Sequence, residues 1–290
     1  MEDYYKLWNF PNCCGAMDGK LINIRCPGNS GSDYFDYKRI SVFIYLHLWM
    51  KLQFLFIDVG TNGRANDASV FQKSTLNEAL MSNLLNFPEE GVIVADDAFP
   101  LRTDILKPFN TRGEFGVKQK IFNYRLSRAR RVVENTFGIL VSKFRIFEKP
   151  IPLSVEKVEQ LVKTTCALHN WLRKTTKHYV TQQSLETEDW NTGSTIPGDW
   201  RQVSSLVSDS PPTTARHHSE NARRVRNAYA ENIYSSDTVV QVGRATAPAH
   251  RRSRVDLTRH QRGTDQLQSL LYDKKSSAAI IGMARRLSHR

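Results

Sequence analysis

The chain has 290 residues, 40% apolar and 24% charged, which suits one large soluble globular domain, or one domain with a tail. Its net charge of +12 is uneven: residues 1–177 carry 25 basic against 18 acidic side chains, 178–240 carry 5 against 8, and 241–290 carry 11 against 3. A basic core with a more basic tail points to a polyanion, nucleic acid before membrane, although a solvated basic surface would give the same count.

The four cysteines, at 13, 14, 26 and 166, form neither a disulfide framework nor a paired CxxC zinc pattern, so a reduced, intracellular chain is expected. The opening MEDYYKLWNF lacks a charged leader followed by an apolar run, and no signal peptide is expected. The most apolar stretch, 40–57, is interrupted by His47, Lys51 and Gln53, which argues for two strands rather than a membrane span.

In chain order, the alternating run from Leu21 to Arg25 reads as a first strand, with Asp18 near its start and Cys26-Pro27-Gly28-Asn29 closing it. Ile40–Trp49 and Leu52–Val59 are β-branched and aromatic, separated by Met50 and Lys51, and read as a hairpin. Gly60–Gly63 is a turn, and Asp67 opens a helical pattern that reaches Leu85. Val92–Ala95 is a short buried strand ending in Asp96-Asp97. Residues 100–121 read as irregular and basic.

A helix follows, with an apolar stripe at Val133, Phe137, Leu140, Val141 and Phe144, and Glu134 beside it. Pro150 and Pro152 end this helix, and Ser154 is placed to cap another over residues 155–174. The expected division is a nuclease-sized α/β domain over 1–177, a polar linker over 178–219, a short helix over 220–235 and a basic tail without fixed structure over 236–290.

Three acids lie where such a mixed sheet would bring them together: Asp18 on the first strand, Asp96 past the end of the fourth, and Glu134 on the later helix. Carboxylates held together repel unless a cation joins them, and hard oxygen donors select Mg²⁺ or Mn²⁺. Two such ions would activate water and stabilise a leaving oxygen in phosphodiester cleavage. The run Lys118, Lys120, Arg125, Arg128, Arg130 and Arg131, which contains no acid, would hold the phosphate backbone.

Each residue also has a plainer reading. Asp18 can be a turn acid beside Gly19, Asp67 a helix N-cap, and one of Asp96 and Asp97 a cap for the following turn. Glu134 can pair with Arg130 one turn back, and His169 can be a hydrogen-bonded packing residue. Cys13 and Cys14 can be buried apolar residues.

The stretches 15–39 (GAMDGKLINIRCPGNSGSDYFDYKR), 56–76 (FIDVGTNGRANDASVFQKSTL), 92–109 (VIVADDAFPLRTDILKPF) and 121–147 (IFNYRLSRARRVVENTFGILVSKFRIF) closely resemble the DDE nuclease domain of PIF/Harbinger transposases. ALHNWL at 167–172 resembles that family's final core helix, and 222–233 its usual C-terminal helix. The resemblance implies an RNase H-like fold and cleavage of DNA strands with two divalent ions, Mg²⁺ or Mn²⁺, followed by attack of the freed 3′-OH on target DNA. It aligns Asp18, Asp96 and Glu134 with the catalytic acids and Asp67 with a further metal-binding acid. Arg125, Arg128 and Arg130 fall in the motif before the glutamate.

It also implies a nuclear location and a separate Myb-like DNA-binding partner; a homo-oligomer is a further expectation, and the interrupted apolar stretch leaves no membrane association expected. The departures are a hairpin turn without the family's Asp and only seventeen residues before Asp18, where the family has a helical segment. The alternative reading is a transposon-derived protein that binds DNA or a partner without cutting. A metal phosphohydrolase built on Asp96-Asp97 ranks lower, because it makes no use of the arginine run.

Overall fold

The computed structural model describes residues 5, 8–26, 42–50, 52–62, 67–111, 115–188, 194–202, 208–209 and 219–246, with backbone alone at 42–50, 61–62, 208–209 and 237–246. Strand β1 runs over Cys13–Asn23, so it starts well before the expected Leu21 and carries Asp18 at its middle. The cause is burial on both faces: Cys13, Ala16, Met17, Leu21 and Ile22 are all buried, which removes the alternation that marks a half-exposed strand. Strands β2 (Val42–Met50) and β3 (Gln53–Asn62) form the expected antiparallel hairpin. Met50 pairs with Gln53.

β1 and β2 pair without a break from Ala16 opposite Trp49 to Asn23 opposite Val42, and Asp18 stands opposite His47. The hairpin register beside Asp18 is thereby fixed, and with it the face that Asp18 presents. β4 (Val92–Val94) lies parallel to the start of β1, and β5 (Ile105–Leu106), inside the stretch expected to be irregular, lies parallel to β4. Two-residue strands β6 (Thr187–Glu188) and β7 (Thr195–Ile196) pair with each other, and β8 (Ser208–Asp209) pairs antiparallel with β1 at Lys20–Leu21. The main sheet has the order β3-β2-β1-β4-β5. The architecture is a mixed α/β one.

The single helix expected over 67–85 is two helices, α1 (Asp67–Lys73) and α2 (Thr75–Met81). Ser74 between them is extended, and its hydroxyl accepts the Asn77 N–H, the capping bond that starts the second helix. α3 (Val117–Lys143) begins earlier than expected, because Gln119 Oε1 accepts the N–H of Gly116 and satisfies the helix start. It gives way to a 3-10 turn at Arg145–Glu148, before Pro150 is reached. The predicted stripe is its inner face: Val133, Phe137, Leu140 and Val141 are buried, and Phe144 is partly so.

α4 (Val155–Thr175) has Ser154 at its N-cap position, although the hydroxyl makes no capping bond. α5 (Glu220–Thr246) is longer than the expected 220–235, so residues 236–246 belong to a helix rather than to the tail. The compact unit extends from Met1 to Tyr234, and Ser235–Arg290 form a second unit. Residues 247–290 of the expected tail lie outside the described residues. No described helix is long and apolar enough to cross a membrane.

α4 holds the hairpin through its His169-Asn170 pair. His169 Nε2 lies 3.0 Å from the Leu52 carbonyl, which can only accept, so Nε2 carries the proton and Nδ1 accepts the Tyr179 hydroxyl at 2.9 Å. Leu52 is a non-glycine with φ of 61°, kept in that left-handed conformation by burial and by this bond. His169 is therefore a packing residue, the plainer of its two readings.

Burial lowers the His169 pKa from 6.5 to about 4, so the folded state excludes a proton that the unfolded chain accepts. Its contribution to stability is complete above pH 6.5 and is lost as pH falls towards 4. At pH 5 this one group is expected to cost about 2 kcal/mol relative to pH 8. Urea denaturation at the two pH values, on wild type and His169→Gln, checks this. The extra acid loss should disappear in the variant.

Candidate active site

Strand geometry levels two of the three acids. β1 and β4 are parallel, with Ala16 opposite Val94, so the residues two further along each chain, Asp18 and Asp96, come side by side on one face. That face is the one α3 covers, since Lys20, two residues from Asp18, places its ammonium 5.7 Å from the Phe137 ring. From α3, Arg130 Nη2 stands 3.7 Å from Asp18 Oδ1 and 3.9 Å from Asp96 Oδ2. Those two carboxylate oxygens are thus no farther apart than the sum of the two distances.

Asp18 is 4% exposed, and its Oδ2 meets Lys20 Nζ at 3.0 Å. Asp96 Oδ1 accepts the Ala98 N–H at 2.9 Å, so Asp96 caps the following turn itself and still offers Oδ2 to the site. Its neighbour Asp97 turns away to Lys107 at 3.1 Å. The Asp96 pKa is raised, first by burial and then by the Asp18 carboxylate, against the opposing pull of Arg130 and Lys20.

Glu134 follows Arg130 by one helical turn and is about half exposed (49%). Its expected partner Arg130 faces the aspartates instead, and Glu134 pairs with Arg201 Nη2 at 3.3 Å. Partial burial raises the Glu134 pKa, opposed first by Lys20, while Glu186 adds to the rise. Asp67, at the start of α1, is buried against Gly19: a Cβ at Gly19 would overlap the Asp67 carboxylate. Because strand side chains alternate, that contact lies on the face of β1 opposite the Asp18 side chain. The structure brings Asp18 and Asp96 to one guanidinium, carries Glu134 on the helix that bears that arginine, and does not gather Asp67 with them.

The arginine run is largely committed inside the fold. Arg125 donates to the Asn9 carbonyl at 2.8 Å, Arg128 faces Glu188 at 3.5 Å and Arg131 faces Glu186 at 3.9 Å. Arg128 is buried, so it is a structural pair and not an open phosphate contact. Lys118 meets Glu231 at 2.6 Å in an exposed pair that competes weakly with any other anion, and Lys120 is exposed. Only the lysine end of the expected DNA track is open to solvent.

Residues 178–202, expected as linker, supply the missed part of the site. Glu186 is buried and its main chain is clamped by Asn135: the Glu186 N–H donates to Asn135 Oδ1 at 2.6 Å, and Asn135 Nδ2 donates back to the Glu186 carbonyl at 3.2 Å. Arg201 pairs with Glu186 as well as with Glu134. Trp200 donates to Asn135 Oδ1 at 3.2 Å and lies where a Cβ of Gly138 would be. The available signals were a glycine inside a helix, which asks for a close neighbour, and a tryptophan inside a polar stretch.

Gly138→Ala sets two effects against each other. Alanine favours the helix by about 1 kcal/mol, while displacing Trp200 and its bond costs about 1–3 kcal/mol. The net expectation is a lower melting temperature with a red-shifted tryptophan emission, read by thermal melts and fluorescence.

The donors are all carboxylate oxygens, the chemistry that hard divalent ions prefer, and Asp18 with Asp96 already converge on one cationic point. The residues therefore fit a cation between those two strands. Among the described residues, no three acidic, histidine or cysteine side chains form a ready-made metal shell.

Comparison with known proteins bears on what these acids do. The family model described as DDE superfamily endonuclease matches residues 17–170, just over half of the chain, from the residue before Asp18 through Asn170. The chain belongs to the DDE superfamily endonucleases. The match agrees with the PIF/Harbinger resemblance of the motifs. HARBI1 of Xenopus laevis, named as a candidate nuclease, is 24% identical over 177 residues, covering 58% of this chain and 48% of that protein. An ALP1-like protein of Arabidopsis thaliana is 25% identical over 181 residues, covering 58% of this chain and 44% of its own length. The chain spans about half the length of these curated relatives. No solved structure matches it significantly.

Proposed function

We propose that this DDE endonuclease domain cuts DNA strands with Mg²⁺ or Mn²⁺ held by Asp18, Asp96 and Glu134, and joins the freed 3′-OH to target DNA. The observation that carries this reading is Arg130, whose guanidinium faces Asp18 and Asp96 from the helix that also bears Glu134. The sheet order β3-β2-β1-β4-β5, with the antiparallel hairpin on one side of β1 and parallel β4 and β5 on the other, supports an RNase H-like fold.

A divalent ion bound there would activate water and stabilise the leaving oxygen. The chain's own residues do the rest. Asp18, on a central strand and nearly without exposure, is the rigid donor. Asp96 has one oxygen spent on its turn and one directed at the site. Glu134, half exposed and paired with Arg201, is the donor most open to solvent. Lys118 and Lys120 offer the open cationic contacts for a phosphate backbone. In the same reading the chain works in the nucleus, as a homo-oligomer or with a Myb-like DNA-binding partner.

A second reading is a DNA- or partner-binding protein that does not cut. It draws on the cations already set against the acids, Lys20 and Arg130 on Asp18 and Arg201 on Glu134. Nicking of transposon-end DNA in Mg²⁺ or Mn²⁺ separates the two. The nuclease reading expects metal-dependent nicks that Glu134→Gln abolishes. Retained DNA binding without nicks, or nicks unchanged in the variant, would refute it.

A further inference from the structure

We infer that Arg201 is a positioning residue for Glu134: it ties that half-exposed carboxylate to the buried Glu186 and so fixes the direction in which Glu134 meets a divalent ion. This rests on the reading of Glu134 as a metal ligand and adds what holds it in place.

The placement begins on α3. Tyr124, Arg128, Arg131, Asn135 and Gly138 recur at intervals of four and three residues, so they form one stripe along the helix. Glu186, Glu188 and Trp200 meet that stripe at every position. The Tyr124 hydroxyl donates to Glu188 Oε1 at 2.6 Å, and Arg128 faces the same carboxylate. Arg131 faces Glu186, Asn135 clamps the Glu186 main chain, and Trp200 covers Gly138. Glu134 borders the stripe, three residues after Arg131 and four before Gly138. Trp200 seated on Gly138 therefore delivers the next residue, Arg201, to Glu134.

Arg201 is fixed on three sides before it reaches Glu134. Its Nε donates to Glu186 Oε2, its guanidinium lies 4.5 Å from the centre of the Trp200 ring, and its main-chain N–H donates to the Gly198 carbonyl at 3.0 Å. Glu186 is 5% exposed and is held at both its N–H and its carbonyl by Asn135, so the anchor is rigid. The planar guanidinium then presents Nη2 to Glu134 Oε2 at 3.3 Å, one fork joining two carboxylates, which the single ammonium of a lysine does not reproduce. An exposed ion pair by itself adds little to stability, so the contact with Glu134 does not account for so firm an anchor. Orientation does. Loss of an outer partner that aims a ligating group typically weakens ion binding about ten- to a hundredfold.

The test is Mn²⁺ affinity of the full chain, with free Mn²⁺ read by electron paramagnetic resonance and folding checked by circular dichroism. Glu134→Gln is expected to weaken binding at least about tenfold, as loss of a ligand should. Arg201→Lys, which keeps the charge but not the fork, is expected to weaken it about tenfold, and so is Arg201→Gln, although that variant removes a competing positive charge. DNA binding in the absence of metal should be unchanged in both Arg201 variants. Folded Arg201→Lys and Arg201→Gln that bind Mn²⁺ as well as wild type, or more tightly, would show that Arg201 merely occupies the carboxylate. Weaker metal-free DNA binding in Arg201→Gln, with a shallower salt dependence, would make it a phosphate contact instead. Either result overturns the positioning role and leaves Glu134 a ligand. Mn²⁺ affinity unchanged in folded Glu134→Gln, or no Mn²⁺ bound by folded wild type, would overturn the ligand reading and the positioning role with it.

Discussion

Asp96→Asn is expected to lower metal-dependent nicking about a hundred- to a thousandfold, the scale on which one charge-stabilising group acts, and at the same time to raise the melting temperature. Both effects come from the same environment. The raised Asp96 pKa means that the folded state disfavours its charge, through burial first and the nearby Asp18 next. A carboxyl raised in this way contributes stability at low pH and loses it as pH climbs from the unfolded value of 3.8 through the higher folded one. Asparagine does not titrate, and its Oδ1 can still accept the Ala98 N–H, so the turn after β4 keeps its bond.

The stability gap between variant and wild type should therefore widen on going from pH 4 to pH 7. Thermal melts at both values, run beside a nicking assay in Mg²⁺, check the pair of effects. A variant that loses both activity and stability would make Asp96 a structural acid. The expected trade, function against stability, is common where a site keeps charges the fold would rather not bury.

The distance along the chain decides what was legible. Helix α3 was readable because its stripe repeats within a few residues, and the hairpin because both strands are β-rich and adjacent. The acids Asp18, Asp96 and Glu134 stood out through motif resemblance, and parallel pairing of β1 with β4 explains why the first two meet. The start of β1 was hidden because burial on both faces erases alternation, and β5 because it is two residues long.

The partner of Glu134 was hidden for a different reason. A local rule selects Arg130, four residues away, whereas the actual partner, Arg201, is 67 residues away in a stretch of polar composition. Composition predicted a linker there. Two aromatic and amide contacts, Trp200 on Gly138 and Asn135 on the Glu186 main chain, were enough to pin part of it to the domain. The internal partners of the arginine run were hidden in the same way. Its charge was plain, but the internal acceptors that use it, Glu186, Glu188 and the Asn9 carbonyl, lie 55 or more residues away from their arginines.

The same long-range logic makes Asn170 the most sensitive single position for stability outside the site. Asn170→Ala is expected to cost about 2–5 kcal/mol, the sum of leaving one buried N–H and one buried C=O without partners. Phe54 lies on β3, the last strand on its side of the sheet among the described residues, where the outward main chain meets no other described strand. Asn170 substitutes for that strand. Its Oδ1 accepts the Phe54 N–H at 2.9 Å, and its Nδ2 donates to the Phe54 carbonyl at 2.8 Å. Only an amide of this length supplies both. Asn170→Asp keeps the acceptor but loses the donor and buries a charge, so it should be at least as damaging.

Urea denaturation of the two variants reads the cost directly, and a loss below about 1 kcal/mol would mean that water replaces the amide. Because His169 grips Leu52 two residues away, the two side chains act on one hairpin end, and a double variant should lose less than the two single losses added. The hairpin they anchor sets His47 opposite Asp18. Loosening it is therefore expected to lower nicking further than the unfolded fraction alone accounts for, since the rigid donor of the site would lose its neighbour strand.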